Sequence, residues 1–501
     1  MFLVYICGIK QLSMKNFLAV MGSLLLAVIA ALPARGNTVM NDTGVKIMVI
    51  SDPHLLAPSL VGNSLAAKQL EAGDMKLVLE SDLIVGRMVD EIIKEKPQLL
   101  LITGDLTFNG SRASHERLVS HLERLEQAGV RALVIPGNHD INCPYSKSYV
   151  GEAAEPVATV SSEEFAQLYL RYGYGKDSKR DPNSLSYTCE PAEGLMLLCI
   201  DSNRYDENRL GRDGEKVVYH NEGAVKPETL EWIKAQLDEA KAGGKRVIAL
   251  MHHHLVEHID GEAKLLPNYI VANHEQVAKV LRDGGVKVVF TGHLHITDAA
   301  TIDGITDVAT GSALTYPLPM RTITVLPELE MLSIETRFFD GLDEELLKRG
   351  RKQVENSAVT VAGMLSRRLW PKISGRMDQL KQMLEMQGMQ ATKLKLPQNA
   401  QELSDLLVRH LREPLTKGLL EMSRGNENER NATVVIDGIK QGVKGMMVEL
   451  LGDEGEMMAE FLIDEMFPRV EPMLKSALED VNHVGASDES RTDDHVLSIK
   501  F

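Results

Sequence analysis

The chain has 501 residues, 44% hydrophobic and 25% charged, which is ordinary for a globular protein and excludes a disordered or multi-span membrane chain. That length supports two or more domains with substantial cores. A formal net charge of −16 makes it a poor general binder of nucleic acid polymers or anionic lipid, so a phosphate-bearing partner must be attracted locally.

Lys15 precedes an apolar stretch from Phe17 to Leu32, and Pro33-Ala34-Arg35-Gly36 supplies small residues for cleavage. The stretch is short for a membrane span, so residues 1–36 read as a secretory signal, with Met14 as the expected true start. An uncleaved single-span anchor is the alternative; no integral membrane domain is expected beyond this segment. No cysteine adjoins the cleavage region, which argues against a lipid anchor. Cleavage removes Lys10, Lys15 and Arg35 and no acid, taking the formal charge from −16 to −19. The expected address is exported: periplasmic, cell-surface or secreted.

From Val45 to about Phe339, strand and helix signals alternate. Val45–Ile50 is apolar and β-branched and runs straight into Asp52-Pro53-His54. Leu77–Lys96 has apolar residues at helical spacing. Leu99–Ile102 is a strand ending at Gly104-Asp105, Arg112–Ala128 a helix, and Ala132–Ile135 a strand ending at Gly137-Asn138-His139-Asp140. Such a βαβαβ run binds ligands beyond the carboxyl ends of its strands, where each of these motifs falls.

Residues 141–193 form an excursion with a helix expected near Ser161–Tyr172. Strand Leu195–Ile200, helix Pro227–Ala242 and strand Val247–Leu250 follow, the last leading into Met251-His252-His253-His254. Val286–Phe290 leads into Gly292-His293-Leu294-His295, and Ile302–Phe339 reads as short β segments. Cys143, Cys189 and Cys199 remain after the signal, an odd number that offers no disulfide framework; a Cys143–Cys189 pair stays open.

Beyond Asp340 the strand signal disappears. Leu403, Leu406, Leu407 and Leu411 mark one helical stripe, and Ile436, Ile439, Val443, Met446 and Met447 another, so residues 341–486 read as a bundle of four or five helices. Pro371, Pro397, Pro414 and Pro468 are expected to punctuate it. Of the 23 methionines, 12 lie beyond residue 340, which implies a pliable core. Residues 487–501 are polar and read as a flexible tail.

The five motifs together hold hard and borderline metal ligands, the inventory of a two-metal hydrolase site. A shared carboxylate is the natural bridge between two ions, and Asp105 is the best candidate. Asp52 and His54 can turn toward one ion, the Asn138 amide oxygen suits the other, and His252, His293 and His295 complete the shells. Imidazole, carboxylate and amide oxygen suit two divalent or trivalent ions such as Mn, Fe or Zn rather than Ca.

On these motifs, residues 45–340 resemble the calcineurin-like metallophosphoesterases. The resemblance implies an αββα sandwich across residues 37–340, followed by the all-α C-terminal domain. It also implies that Asp52, His54 and His295 bind one metal and Asn138, His252 and His293 the other, with Asp105 between them. His139 would contact the phosphate and protonate the leaving oxygen while a metal-bridging hydroxide attacks phosphorus. His253 is expected to line the pocket, and His254 and His258 to support it or lie at the surface.

The phrase Ile102-Thr103-Gly104-Asp105-Leu106-Thr107-Phe108-Asn109-Gly110, with the helical extension, is similar to bacterial cyclic-nucleotide phosphodiesterases of that superfamily. The similarity implies a small phosphodiester substrate, with Asn109 lining the pocket. A phosphomonoesterase, nucleotidase or lipid phosphodiesterase on the same scaffold is the rival enzyme. A non-catalytic binding scaffold is the rival from another class.

Overall fold

The computed structural model describes residues 44–210, 216–326, 330–376, 395–425, 427–452, 454–465, 467–478 and 494–501, together with Gln379 and Gln382. The expected export signal lies outside them. Strand β1 (Val45–Ile50) leads through α1 (Leu65–Gly73) and α2 (Ser81–Glu95) to β2 (Leu99–Ile102); α3 (Arg112–Gln127) then leads to β3 (Arg131–Val134). A two-stranded ribbon, β4 (Lys147–Ser148) with β5 (Glu155–Pro156), and α4 (Ser162–Leu168) fill the excursion. Strands β6 (Ser178–Arg180), β7 (Tyr187–Ala192) and β8 (Leu195–Ile200) precede α5 (Pro227–Ala242) and β9 (Arg246–Met251). Short α6 (Glu262–Leu265) and α7 (His274–Asp283) bring the chain to β10 (Val288–Thr291), β11 (Asp298–Ile302) and β12 (Ile305–Ala309). Two longer strands follow, β13 (Pro319–Leu326) and β14 (Met331–Phe338).

The strands form a six-stranded sheet, ordered β15-β14-β13-β1-β2-β3, and a seven-stranded sheet, ordered β11-β12-β10-β9-β8-β7-β6, where β15 is Val496–Lys500. β1, β2 and β3 are parallel, with Ile50 beside Ile102 and Ile102 beside Val134. β8, β9, β10 and β12 are parallel in the second sheet. All five motifs therefore follow carboxyl ends of parallel strands.

Strand periodicity explains the layering. In β8, Leu195, Leu197 and Cys199 face a core shared with β1, β2 and β3, while Met196, Leu198 and Ile200 face a second core with Ile233 and Leu237 of α5 and Val277 and Leu281 of α7. On the first sheet, Ile84, Met88 and Ile92 of α2 and Leu118, Leu122 and Leu125 of α3 supply the helical cover. Each such fully buried side chain contributes about 1.5–3 kcal/mol relative to exposure. The arrangement is the expected αββα sandwich.

The helical region comprises α8 (Glu344–Ser374), α9 (Ala400–Arg424), α10 (Glu429–Leu451), α11 (Glu454–Glu465) and α12 (Glu471–Leu478). The leucine stripe of α9 buries Leu403, Leu407 and Leu411 with Ala362 of α8, and α10 packs Val435 and Ile436 against Phe467 and Leu478. Two of the expected breaks are not breaks. Pro371 lies inside α8 and Pro414 inside α9. Pro414 is buried, and a Cβ on Gly438 of α10 would lie 3.0 Å from its Cβ, so the two helices approach closely there.

The expected flexible tail is corrected for residues 494–501, while residues 487–493 lie outside the described residues. Val496–Lys500 pairs antiparallel with β14, Leu497 opposite Ile334, and buries Leu497 in the sandwich core. Just before it, Asp494 accepts from the Ala299 amide at 3.0 Å, and its carbonyl accepts from Arg321 Nη1 at 2.9 Å. Arg321 is wholly buried, and burial pulls its pKa down to about 10. Cys143, Cys189 and Cys199 are all free and buried, so Cys143 and Cys189 are not paired. No helix among the described residues is long and apolar enough to cross a membrane.

Candidate metal centre

At each strand end the chain must turn at once to bring its motif inward. Asp52, His54, Asp105, His293 and His295 adopt positive φ of 50°, 34°, 46°, 69° and 62°. Left-handed backbone at such residues costs about 1–3 kcal/mol each and persists only where surrounding bonds enforce it. Here the Asp52 amide donates to Gly104 O (3.2 Å), the His54 amide to Asp105 O (2.9 Å) and the Gly292 amide to His252 O (3.0 Å). The motif glycines are sites of close approach: a Cβ at Gly104 would strike the His252 ring, and one at Gly292 would strike Ser51 and Asp52.

The first cluster holds Asp52, His54 and His295. His295 Nε2 lies 3.3 Å from Asp52 Oδ1 and 3.3 Å from His54 Nε2. Asp52 Oδ2 accepts from the Ser51 hydroxyl and from the His293 amide at 3.1 Å. Asp52 Oδ1 is buried with no hydrogen-bond partner. One carboxylate oxygen is thus fixed by the protein and the other is presented bare.

The second cluster holds Asp105, His252 and His293. His252 Nδ1 donates to Thr103 O at 2.9 Å, which leaves Nε2 to face Asn138 Oδ1 at 3.0 Å and Asp105 Oδ1 at 3.4 Å. His293 Nε2 donates to Asn268 O at 2.9 Å, leaving Nδ1 free to ligate. Asn138 Nδ2 donates to the Tyr219 hydroxyl at 2.7 Å, which aims its carbonyl oxygen inward. Asp105 belongs to both sides, with Oδ2 3.4 Å from His54 Nε2.

His139 stands beside the shared carboxylate. Its amide donates to Asp105 Oδ1 at 2.9 Å, its Nε2 is 3.9 Å from Asp105 Oδ2, and its side chain is 27% exposed. His139 Nδ1 donates to Asn109 Oδ1 at 2.6 Å, so Asn109 reaches the site through His139.

His253 does not line the pocket. It is fully buried, Nδ1 against the Ser202 hydroxyl (2.8 Å) and Nε2 against Asn221 O (3.2 Å), and burial lowers its pKa to about 3. Its ring packs on those of His252 and His293, with centroids 5.1 Å and 4.5 Å apart, so it backs the two imidazoles from within the protein. His254 and His258 are also buried, bonded to Glu262 (2.8 Å) and Asp298 (2.5 Å) respectively, and neither is a surface group.

Supporting residues come from within the motifs and from outside them. Asp140 is buried and accepts from the amides of Gly137 (2.8 Å), Leu106 (2.9 Å) and Thr107 (2.9 Å), tying the two loops together. Burial and the neighbouring Asp105 push its pKa up to about 7. Tyr219 arrives from a distant loop, and no spacing in the sequence announces it.

The electrostatics suit cations. Burial and nearby positive charge hold His54 and His293 well below their ordinary pKa, in the neutral form that ligates metals. Burial opposes ionisation of Asp105, yet His252, His139 and His54 outweigh it and keep the carboxyl well below its usual range. Burial also opposes charge on His252, but Asp105 and Asp52 raise it to about 9. A bare buried carboxylate oxygen, neutral imidazoles and an inward amide oxygen fit two metal ions, and no cysteine belongs to either cluster.

Two adjoining clusters around one carboxylate, at the strand ends of an αββα sandwich, define a dimetal hydrolase architecture. Residues 45–297 match the calcineurin-like phosphoesterase family, and the chain belongs to that family of metal-dependent phosphoester hydrolases. A protein of Rhodococcus erythropolis named "probable cyclic nucleotide phosphodiesterase" is 27% identical over 226 residues, 44% of this chain and 60% of that one. A cAMP/cGMP dual specificity phosphodiesterase of Mycobacterium tuberculosis is 22% identical over 275 residues, 54% of this chain and 67% of that one. The chain thus spans only 60% of the first relative's length. A dimetal phosphatase from Danio rerio superposes with a TM-score of 0.41 at 16% identity, covering 59% of this chain and 96% of the other.

Proposed function

We propose that the protein is an exported phosphodiesterase acting on small phosphodiesters, with cyclic nucleotides as the leading substrate class. The observation that carries the reading is Asp105 shared between two ligand clusters, with His139 beside it and held by Asn109. The names borne by the two bacterial relatives support the diester and the cyclic nucleotide.

Asp52, His54 and His295 would hold one metal ion, Asn138, His252 and His293 the other, and Asp105 would serve both. The bound ions supply charge neutralisation at the phosphoryl oxygens and a nucleophile usable at neutral pH. His139 directs Nε2 at the ester, because Nδ1 is committed to Asn109. A proton at Nε2 passes to the departing ester oxygen as its bond to phosphorus breaks. Ser51, Thr103 and Tyr219 hold Asp52, His252 and Asn138 in place, so the groups that would hold the ions are prearranged.

The test is hydrolysis of bis(p-nitrophenyl) phosphate, p-nitrophenyl phosphate and cyclic AMP and GMP after loading with Mn, Fe or Zn. Preference for diesters is expected; clear preference for the monoester would overturn the proposal. Export rests on the N-terminal sequence. Mass analysis of the protein from a periplasmic or culture fraction should find a mature start near residue 37.

A further inference from the structure

The turn that follows the Gly137-Asn138-His139-Asp140 motif carries an aromatic ring out into solvent. Cys143, Pro144 and Ser146 are buried, yet Tyr145 between them is 42% exposed. The turn is fixed: the Ser146 amide donates to Cys143 O at 3.4 Å, and the Val157 amide donates to Ser146 O at 3.1 Å. Burial of a tyrosine ring ordinarily stabilises a protein, because the ring carries a large apolar area. Here the surrounding chain is held in place and the ring alone is left outside.

The Tyr145 ring meets the Tyr219 ring edge-on, with centroids 5.1 Å apart. Tyr219 belongs to a different loop, pinned where Arg209 and Val218 exchange amide bonds at 3.0 Å and 3.1 Å. Its hydroxyl accepts from Asn138 Nδ2 at 2.7 Å, and its ring centroid lies 6.1 Å from that of His139. A row of rings therefore runs outward from the reacting groups: His139 beside Asp105, then Tyr219, then Tyr145. Exposure rises from the buried Asp105 through the half-buried Tyr219 to Tyr145. An edge-on contact takes at most one face of a ring, so Tyr219 leaves a face of Tyr145 uncovered.

The row starts at the residue that protonates the leaving oxygen. In a cyclic nucleotide that oxygen stays on the ribose, and the ribose carries the base. The base thus departs on the side of His139, where the row of rings lies. We propose that Tyr145 is a substrate-binding residue on which the nucleobase of a cyclic nucleotide stacks, with Tyr219 joining it to the metal centre. The proposal rests on the cyclic-nucleotide reading of the site and adds where the base is held. Every base has a π-face, so adenine and guanine should be held alike.

Two phosphonate ligands test this: analogues of AMP and of ribose 5-phosphate with a methylene in place of the ester oxygen. They share the phosphoryl end, differ in the base, and cannot be hydrolysed. Each is titrated calorimetrically into the metal-loaded protein and into its Tyr145→Phe, Tyr145→Leu and Tyr145→Ala variants. Wild type and Tyr145→Phe should bind the AMP analogue about tenfold more tightly than the ribose analogue. Tyr145→Leu and Tyr145→Ala should lose most of that preference, with bound metal and affinity for the ribose analogue unchanged. KM for cyclic AMP should rise about tenfold in the same two variants, with kcat within about threefold of wild type. Equal affinity for the two analogues in wild type overturns the proposal, as does a preference that survives in Tyr145→Leu or Tyr145→Ala. If the preference behaves as expected but cyclic AMP is not hydrolysed, the phosphodiesterase reading falls and the base platform stands. If cyclic AMP is hydrolysed without the preference, the platform falls and the phosphodiesterase reading stands.

Discussion

The Nδ1 of His139 donates to Oδ1 of Asn109 across 2.6 Å, and that bond decides which imidazole nitrogen faces the substrate. Asn109 holds a left-handed backbone, φ 61°, which asparagine tolerates better than most residues. Asn109→Leu should leave the metals bound but free the ring to rotate. We expect kcat to fall about 10- to 100-fold for diesters with poor leaving groups and far less for p-nitrophenolate. Rates across a series of leaving groups, with metal content measured in parallel, check this.

The shared carboxylate makes the two ligand clusters unequal to mutation. Asp105→Asn should cost both ions, because Oδ1 faces His252 while Oδ2 faces His54. Asp52→Asn should weaken only the side that holds His54 and His295. Metal stoichiometry after dialysis distinguishes the two variants: near zero for the first, about one ion per chain for the second.

In the metal-free protein His252 carries a proton up to about pH 9, because Asp105 and Asp52 outweigh its burial. A metal must displace that proton, so affinity should rise with pH, about tenfold per unit, and level off near pH 9. Calorimetry in buffers of different ionisation enthalpy should count about one proton released per chain at pH 7.

Acid stability should depend on His115, which is buried between the Tyr169 hydroxyl (2.9 Å) and Asp140 O (2.9 Å). Burial lowers its pKa from 6.5 to about 4. The unfolded chain therefore binds the proton first as pH falls. The stability is complete above pH 6.5 and is lost toward pH 4, about 3 kcal/mol in all and about 2 kcal/mol by pH 5. Thermal unfolding at pH 7 and pH 5 should show a smaller acid shift for His115→Gln than for wild type.

The strand-end motifs were legible because ligation requires particular side chains, and parallel strands deliver them at one end of each sheet. Asp52, Asp105, Asn138 and His252 could be read that way. Tyr219 could not, since a hydroxyl that meets Asn138 through tertiary packing leaves no spacing in the sequence. His253 was misread for want of its partners, Ser202 and Asn221, which come from elsewhere in the chain. Pro414 was read as a breaker because its packing against Gly438 is likewise invisible along the chain. In Val496-Leu497-Ser498-Ile499-Lys500 the alternation is present, but five residues in a polar stretch are too few to separate an edge strand from coil.

The β14–β15 pairing changes what the helical region is in architectural terms. Glu335 lies opposite Val496, so the polypeptide departs from and rejoins the same edge within a few residues. The helices are an insert looped out of a sheet, not a module hung on its end. Stopping translation at residue 340 would strip an outer strand and leave the guanidinium of Arg321 without the Asp494 carbonyl. Splicing residue 340 to residue 494 through a short turn would preserve both, and offers the cleaner way to obtain the catalytic sandwich alone.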